Sequence, residues 1–374
     1  MTQDLLALKA LGWRDEGQPV QPCPDGQNLA RVLAVDRDAL LLDDGSGAFR
    51  GRLAGRWLHE AGDAQALPCV GDWVCVERPA GDGVARVERL LPRYSVLRRR
   101  AAGSAAGAAQ MIAANVDAVV IVQGCHFDFN LNRLERYLVM VRDGGAEPWI
   151  LLTKTDLVTP QVLAGQIEQI RAAGIDVPVL ALSNLGNPTA AFAASGLREQ
   201  AEGFDALCQR LRPGPTYCFV GSSGVGKSTL INRLIGAARQ DTAGVSGTGE
   251  GRHTTVRREL IRLEGGALVI DNPGMREFGL VDAHEGLEDR FAEIARLAAG
   301  CRYRDCQHGG EPGCAVQAAV DAGQIDAGQL ANWRRLQQEA AFYELSQVEK
   351  RHKDRAFGRF LHHAKKDLRG GRDD

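Results

Sequence analysis

The stretch Gly221-Ser222-Ser223-Gly224-Val225-Gly226-Lys227-Ser228 constrains this chain more than any other. It fits G-x-x-x-x-G-K-[ST] without deviation, follows the apolar run TYCFV and opens the helix-like TLINRLIG. Strand, glycine loop and helix in that order have a mechanical use. Glycines let the backbone turn its N–H groups inward onto phosphate oxygens, and the helix N-terminus adds a favourable dipole. Lys227 is placed to reach β- and γ-phosphates, and the Ser228 hydroxyl to bind Mg2+, with Thr229 beside it. A chance glycine-rich turn is the alternative, and the flanking strand and helix count against it.

Such a loop belongs to a covered parallel sheet. VDAVVIV, PWILLTKTD, VPVLALS, TYCFVG and ALVIDNPG are nearly continuous apolar runs. Helix-like segments such as NLNRLERYLVMVRDGG and TPQVLAGQIEQIRAAG lie between the first four. The alternation predicts an α/β fold, a doubly wound parallel sheet with helices on both faces. ALVID ends at Asp271, whose carboxylate can hold Mg2+, and the Gly274 N–H three residues later can meet a γ-phosphate. PWILL ends in Thr153-Lys154-Thr155-Asp156, a variant of N-K-x-D. There the Asp pairs with N1 and N2 of guanine, and adenine offers no such donor pair. Thr153 stands where Asn is usual, so one base-loop hydrogen bond is expected to be absent or weaker. Ser183-Asn184, after VPVLAL, is the place for a second base-contacting loop.

Between the phosphate loop and DNPG lies Gly249-Glu250-Gly251-Arg252-His253-Thr254-Thr255. A switch loop needs a Thr that senses Mg2+ and the γ-phosphate, and either Thr254 or Thr255 fits. Ser228, Thr254 and Asp271 form the expected Mg2+ set. Met275 occupies the position at which many GTPases carry a water-orienting Gln, so His253 is the nearest candidate for that task, with Lys227 the other catalytic residue. A solvent-exposed loop histidine is the rival reading. The motif order is TKTD, ALS, GSSGVGKS, RHTT, DNPG. It is the ordinary GTPase order with the old termini joined and the chain opened elsewhere, a circular permutation.

Composition adds bounds. The 374 residues imply two or three domains, and 44% hydrophobic with 25% charged residues excludes wholesale disorder. Lys+Arg 45 against Asp+Glu 47 leaves nucleic-acid binding to local clusters. No apolar run approaches ~18 residues, so a membrane span is not expected. The start MTQDLLALKALGWRDEG is not a secretory signal. Nine cysteines without such a signal therefore read as cytoplasmic thiols rather than a disulfide framework. Cys301, Cys306, His308 and Cys314 fall within a short segment and match a closed tetrahedral Zn2+ site, against the alternative of unliganded thiols. Residues 30–93 alternate in short β-branched runs with turn signals, consistent with a small β domain or a five-stranded oligonucleotide-binding barrel. Arg98-Arg99-Arg100 and the AAGSAAGAAQ after them read as a basic spot and a flexible linker. The tail 350–372 mixes cations with Phe357 and Phe360, suited to RNA or to a solvated helix.

The permuted order, the phosphate loop, the RHTT switch and the cysteine cluster together resemble the circularly permuted bacterial GTPases that assist small ribosomal subunit maturation, the ribosome small subunit-dependent GTPase A family. That resemblance implies an N-terminal oligonucleotide-binding β-barrel (1–105), a circularly permuted P-loop GTPase domain (106–284) and a C-terminal zinc-binding helical domain (285–374). It implies a cytoplasmic, monomeric GTP hydrolase holding one structural Zn2+, and Mg2+ with its GTP or GDP. Its partner would be the small (30S) ribosomal subunit and its rRNA, and hydrolysis would act as a checkpoint or release step. Two other classes remain compatible with the residues alone: an ATPase or kinase sharing only the phosphate loop, and an RNA-binding zinc protein with a vestigial nucleotide site.

Overall fold

The computed structural model describes residues 4–15, 23–36, 39–55, 57, 64–79, 83–100, 109–183, 203–239, 258–272 and 284–344. His253, Thr254, Thr255, Gly274, Met275, Asn184 and the tail 350–372 lie outside these. The chain divides into two compact units, one of residues 1–99 with 110–279, the other of residues 100–109 with 280–374.

In the first unit, helix α1 (Leu5–Ala10), its first turn capped by the Asp4 side chain at Leu6 N, precedes five strands: β1 (Asn28–Val35), β2 (Leu40–Asp43), β3 (Ala48–Leu53), β4 (Trp73–Glu77) and β5 (Ala85–Leu90). Their order β1-β2-β3-β5-β4, closed by a β1–β4 pairing, makes a barrel. Alternation builds its interior: Ala30, Val32, Leu40, Leu42, Val74, Val76 and Val87 meet inside. The run ARVLAVDRDALLLDD, continuous in the sequence, is a hairpin of two strands. Leu8, Leu11, Trp13, Leu29, Trp73 and Leu91 form a second cluster with Cys23 and Cys75. Those two cysteines are disulfide-bonded. Here the expectation of free thiols fails, because folding brings together residues 52 apart in sequence.

Residues Arg98–Arg100 are strand residues, and the linker read for 101–108 lies outside the described residues. The three arginines belong to β6 (Val96–Arg100), which pairs with β7 (Ala109–Ala114). Then follow β8 (Ala118–Gly124), α2 (Leu131–Asp143), β9 (Glu147–Thr153), α3 (Pro160–Ala172), β10 (Val179–Ala181), α4 (Phe204–Arg210), β11 (Thr216–Val220), α5 (Lys227–Arg239), β12 (Glu259–Arg262) and β13 (Leu268–Asp271). The strands lie in the order β10-β9-β8-β11-β13-β12, parallel throughout except for the last pairing. Ala118, Val120 and Val122 pack with Leu207, Phe219, Leu230 and Leu234 on one face. The alternate residues Val119 and Ile121 point to the other face, and α2 packs on β8 and β9.

Strand β12, not foreseen from sequence, also pairs with β1 through Ala34 and Glu259, so the barrel and the parallel sheet are continuous. Arg31 reinforces that joint. Fully buried, it donates to the carbonyls of Leu11, Gly71 and Asn115, and its burial lowers its pKa to about 10. Three carbonyl acceptors offset part of the cost of burying that charge.

The second unit contains α6 (His284–Arg290), α7 (Ala292–Ala298), α8 (Ala315–Asp321) and α9 (Ala327–Glu344), with α6 against α9 and α7 against α8. Its cysteine loop links α7 to α8. Among the described residues no helix is long and apolar enough to cross a membrane.

Candidate functional site

Parallel neighbours end at one edge of a sheet, and that edge is where open α/β sheets place ligands. Here β9 ends at Thr153, β8 at Gly124, β11 at Val220 and β13 at Asp271. Past β11 the chain turns sharply at Gly221 (φ +147°), where a Cβ would come 2.1 Å from the Val122 carbonyl oxygen. Gly224 and Gly226 have φ +80° and +98°, conformations that side chains resist. The loop then feeds α5, which starts at Lys227.

Lys227 Nζ donates to the carbonyls of Gly221 (2.6 Å) and Ser222 (2.5 Å). Burial lowers its pKa, opposed by the negative charges of Asp128 and Asp271. Ser223, Gly224, Lys227, Ser228, Thr229 and Asp271 line a cavity of about 220 Å³. Burial raises the Asp271 pKa, with Lys227 acting against it and Glu259, its cross-strand neighbour, adding to it. The Ser228 hydroxyl and the Asp271 carboxylate on that one wall are hard oxygen donors, the set a Mg2+ ion takes alongside phosphates.

The base loop is joined to this cavity. Thr153 Oγ1 donates to the carbonyl of Val225 at 2.6 Å. The Thr that replaces Asn therefore still makes a hydrogen bond, to the phosphate loop itself. Lys154 adopts a left-handed conformation (φ +59°), and Asp156 Oδ1 accepts a 2.6 Å bond from Ser183 Oγ. The segments 153–156, 183 and 221–228 with Asp271 thus converge, although the chain visits them in permuted order.

The RsgA GTPase family profile matches residues 90–281. A small ribosomal subunit biogenesis GTPase RsgA from Opitutus terrae is 44% identical, over 90% of each chain. A second such protein, from Vibrio vulnificus, is 39% identical over 96% of this chain and 95% of its own. The chain belongs to the RsgA GTPase family. GTP hydrolysis is accordingly the reaction of this protein, and the resemblance drawn from the sequence is borne out. Two solved structures share the fold: YjeQ from Thermotoga maritima (TM-score 0.59, 22% identity, 83% of this chain and 97% of that one) and YloQ, a circularly permuted GTPase (TM-score 0.55, 22% identity, 87% and 97%). The fold class is the expected one, a closed five-stranded barrel, a permuted P-loop GTPase sheet and a helical C-terminal region with a candidate metal cluster.

That cluster stands by itself in the second unit. Ligand atoms of Cys301, Cys306, His308 and Cys314 lie within 4.8 Å of one another. Cys301 Sγ is 3.5 Å from His308 Nδ1 and 3.9 Å from Cys314 Sγ, and His308 Nδ1 is 3.4 Å from Cys314 Sγ. A tetrahedron with Zn–N and Zn–S bonds of ~2.0–2.3 Å has edges of about 3.5–3.8 Å, close to the spacing of Cys301, His308 and Cys314, with Cys306 the fourth donor within 4.8 Å. The loop is shaped for it. Glu311 accepts from the N–H groups of Gln307 (2.9 Å) and Gly309 (2.6 Å), His308 sits at φ +55°, and its ring lies 5.2 Å from that of Trp333. Cys314 also caps α8 by accepting from Gln317 N at 3.3 Å.

Sequence reasoning missed three supports of the nucleotide edge. Tyr137 on α2 shares a hydrogen bond with Ser222. Asn272 Nδ2 donates to Cys218 Sγ at 2.8 Å, holding the end of β13 to β11. Asp128, in the loop after β8, places its charge near Lys227. None carries a motif; each is a contact across the sheet or with a helix.

Proposed function

We propose that this GTPase binds the small ribosomal subunit through its rRNA, acts late in that subunit's maturation, and uses GTP hydrolysis as a checkpoint or release step. The named role of its relatives supports the partner, and the Thr153 bond that ties the base loop to the phosphate loop, whose cavity Asp271 also lines, carries the guanine-nucleotide reading. Asp156, oriented by Ser183, pairs with the guanine edge, while Lys154 packs along the ring. The N–H groups of Gly221 to Ser228 meet phosphate oxygens, and the Lys227 ammonium exchanges its carbonyl partners for them. Ser228, Asp271 and Thr254 would hold Mg2+, which neutralises phosphate charge when bound. Thr254 or Thr255 and the Gly274 N–H sense the γ-phosphate, and His253 orients the attacking water where Met275 cannot.

The second unit's cluster holds one structural Zn2+, and its four protein ligands leave no open catalytic position. The protein works in the cytoplasm as a monomer, with domains at 1–105, 106–284 and 285–374. The test is hydrolysis of GTP against ATP by the purified protein, with and without small subunits. Preference for GTP and stimulation by subunits are expected. Equal use of ATP would end the guanine assignment, and hydrolysis indifferent to subunits would end the ribosomal one. A pull-down of small subunits with GDP against a non-hydrolysable GTP analogue checks the release step: retention is expected with the analogue only.

A further inference from the structure

Strand order puts β8 between β9, which carries the base loop, and β11, which carries the phosphate loop. Gly124, the last residue of β8, pairs with Thr153, so the segment after it leaves the sheet between the two loops. That segment is pinned at both ends. Cys125 N donates to the Thr153 carbonyl (2.9 Å), and Gln166 Nε2 donates to the Cys125 carbonyl (2.6 Å). At the far end the Asn130 side chain caps α2 at Arg133 N (2.9 Å), and Gln123 Nε2 donates to the Asn130 carbonyl (2.9 Å).

Asp128 lies inside this clamped turn. A Cβ placed on Gly124 would be 3.6 Å from Asp128 Cβ and 3.7 Å from Lys154 Cδ, so Asp128 and the stem of the base-loop lysine flank the same glycine. On the other side its charge reaches Lys227, more strongly than that of Asp271. One oxygen, Oδ1, is engaged by Arg133 at 2.7 Å. The other, Oδ2, is buried and has no hydrogen-bond partner among the described residues. A buried carboxylate oxygen left without a donor is costly, and at a binding edge it calls for a functional account. Phosphates entering beside it bring further negative charge, which Arg133 on Oδ1 and the nearby Lys227 offset only in part.

We propose that Asp128 sets nucleotide affinity: its carboxylate repels the bound phosphates and hastens nucleotide release, that of the triphosphate more than of the diphosphate. This rests on the guanine-nucleotide reading of the site. The ordering follows from charge, because GTP carries more of it than GDP near the same carboxylate.

The experiment is stopped-flow release of mant-GDP and of a non-hydrolysable mant-GTP analogue from the full chain, wild type, Asp128→Asn and Arg133→Gln. Asn keeps the shape and an acceptor for Arg133. It should slow release of the diphosphate about threefold and of the triphosphate analogue by up to about tenfold, with the difference shrinking at high salt. Arg133→Gln removes the neutralising partner and should speed both. Release from Asp128→Asn that is unchanged or faster overturns the proposal. Acceleration in both variants would show instead that the pair only holds the turn in shape. A wild-type protein that fails to bind mant-GDP refutes the guanine reading itself, a different outcome from wild-type binding with an indifferent Asp128→Asn.

Discussion

The phosphate loop and the cysteine loop are both short, glycine-bearing connections, and they are held in shape by opposite means. The phosphate loop is self-sufficient. Its turns are set by Gly221, Gly224 and Gly226, its lysine bonds its own carbonyls, and Thr153 and Tyr137 brace it from neighbouring elements. The cysteine loop gathers three thiols and an imidazole whose donor atoms lie within 4.8 Å of one another. Backbone geometry shapes the first loop, whereas the second presents a donor set that fits a metal ion.

The largest expected effect tests that contrast directly. Stripping metal with a strong chelator, or replacing Cys306 by Ser, should unfold the second unit, since structural Zn2+ contributes about 10–16 kcal/mol in small zinc peptides. Hydrogen exchange should show loss of protection across α7, α8 and α9 while β8, β9 and β11 stay protected. Uniform protection would mean that the cysteine loop is as self-sufficient as the phosphate loop. Next in size, Lys227→Ala should lower GTP turnover on the order of a hundredfold or more, because it removes a cation aimed at the phosphates. Metal content of the second unit should not change.

Thr153→Val is expected to do less. Losing the bond to the Val225 carbonyl leaves a buried acceptor unpaired, worth ~1–2 kcal/mol, so GDP affinity should fall about five- to thirtyfold. Affinity unchanged by calorimetry would mean that the brace between the two loops is idle. The smallest effect concerns Asp271. Its pKa is raised, chiefly by burial, so ionising it opposes folding. The stability it withholds is present below the ordinary carboxylate range and is lost as pH rises through the raised value. Asp271→Asn should therefore flatten that part of the stability–pH curve, measured by thermal melts without nucleotide, while Mg2+-dependent nucleotide binding weakens.

Both loops were legible in the sequence because each is local. Eight consecutive residues specify the phosphate cradle, and the four metal donors lie between Cys301 and Cys314. The permuted sheet was legible because buried parallel strands read as unbroken apolar runs. What escaped has large sequence separation. The disulfide joins Cys23 to Cys75, Arg31 reaches the Asn115 carbonyl 84 residues away, and Thr153 meets Val225 across 72. That Arg98–Arg100 form a strand was illegible for another reason: three arginines carry no strand pattern, and only pairing with β7 makes them one.

By itself the sequence determined the chemistry available to this protein: a glycine-rich phosphate-loop motif, a TKTD strand end carrying Asp156, a carboxylate at another strand end and a four-donor cluster that fits a metal. Those follow from residue type and local spacing, which short-range backbone geometry enforces. Only the tertiary structure decided that Ser183 orients Asp156, that Glu259 links the barrel to the strand bearing Asp271, and that Asp128 stands between two lysines. Such neighbours are chosen by strand order and packing, which bring distant segments together without leaving a mark on either one.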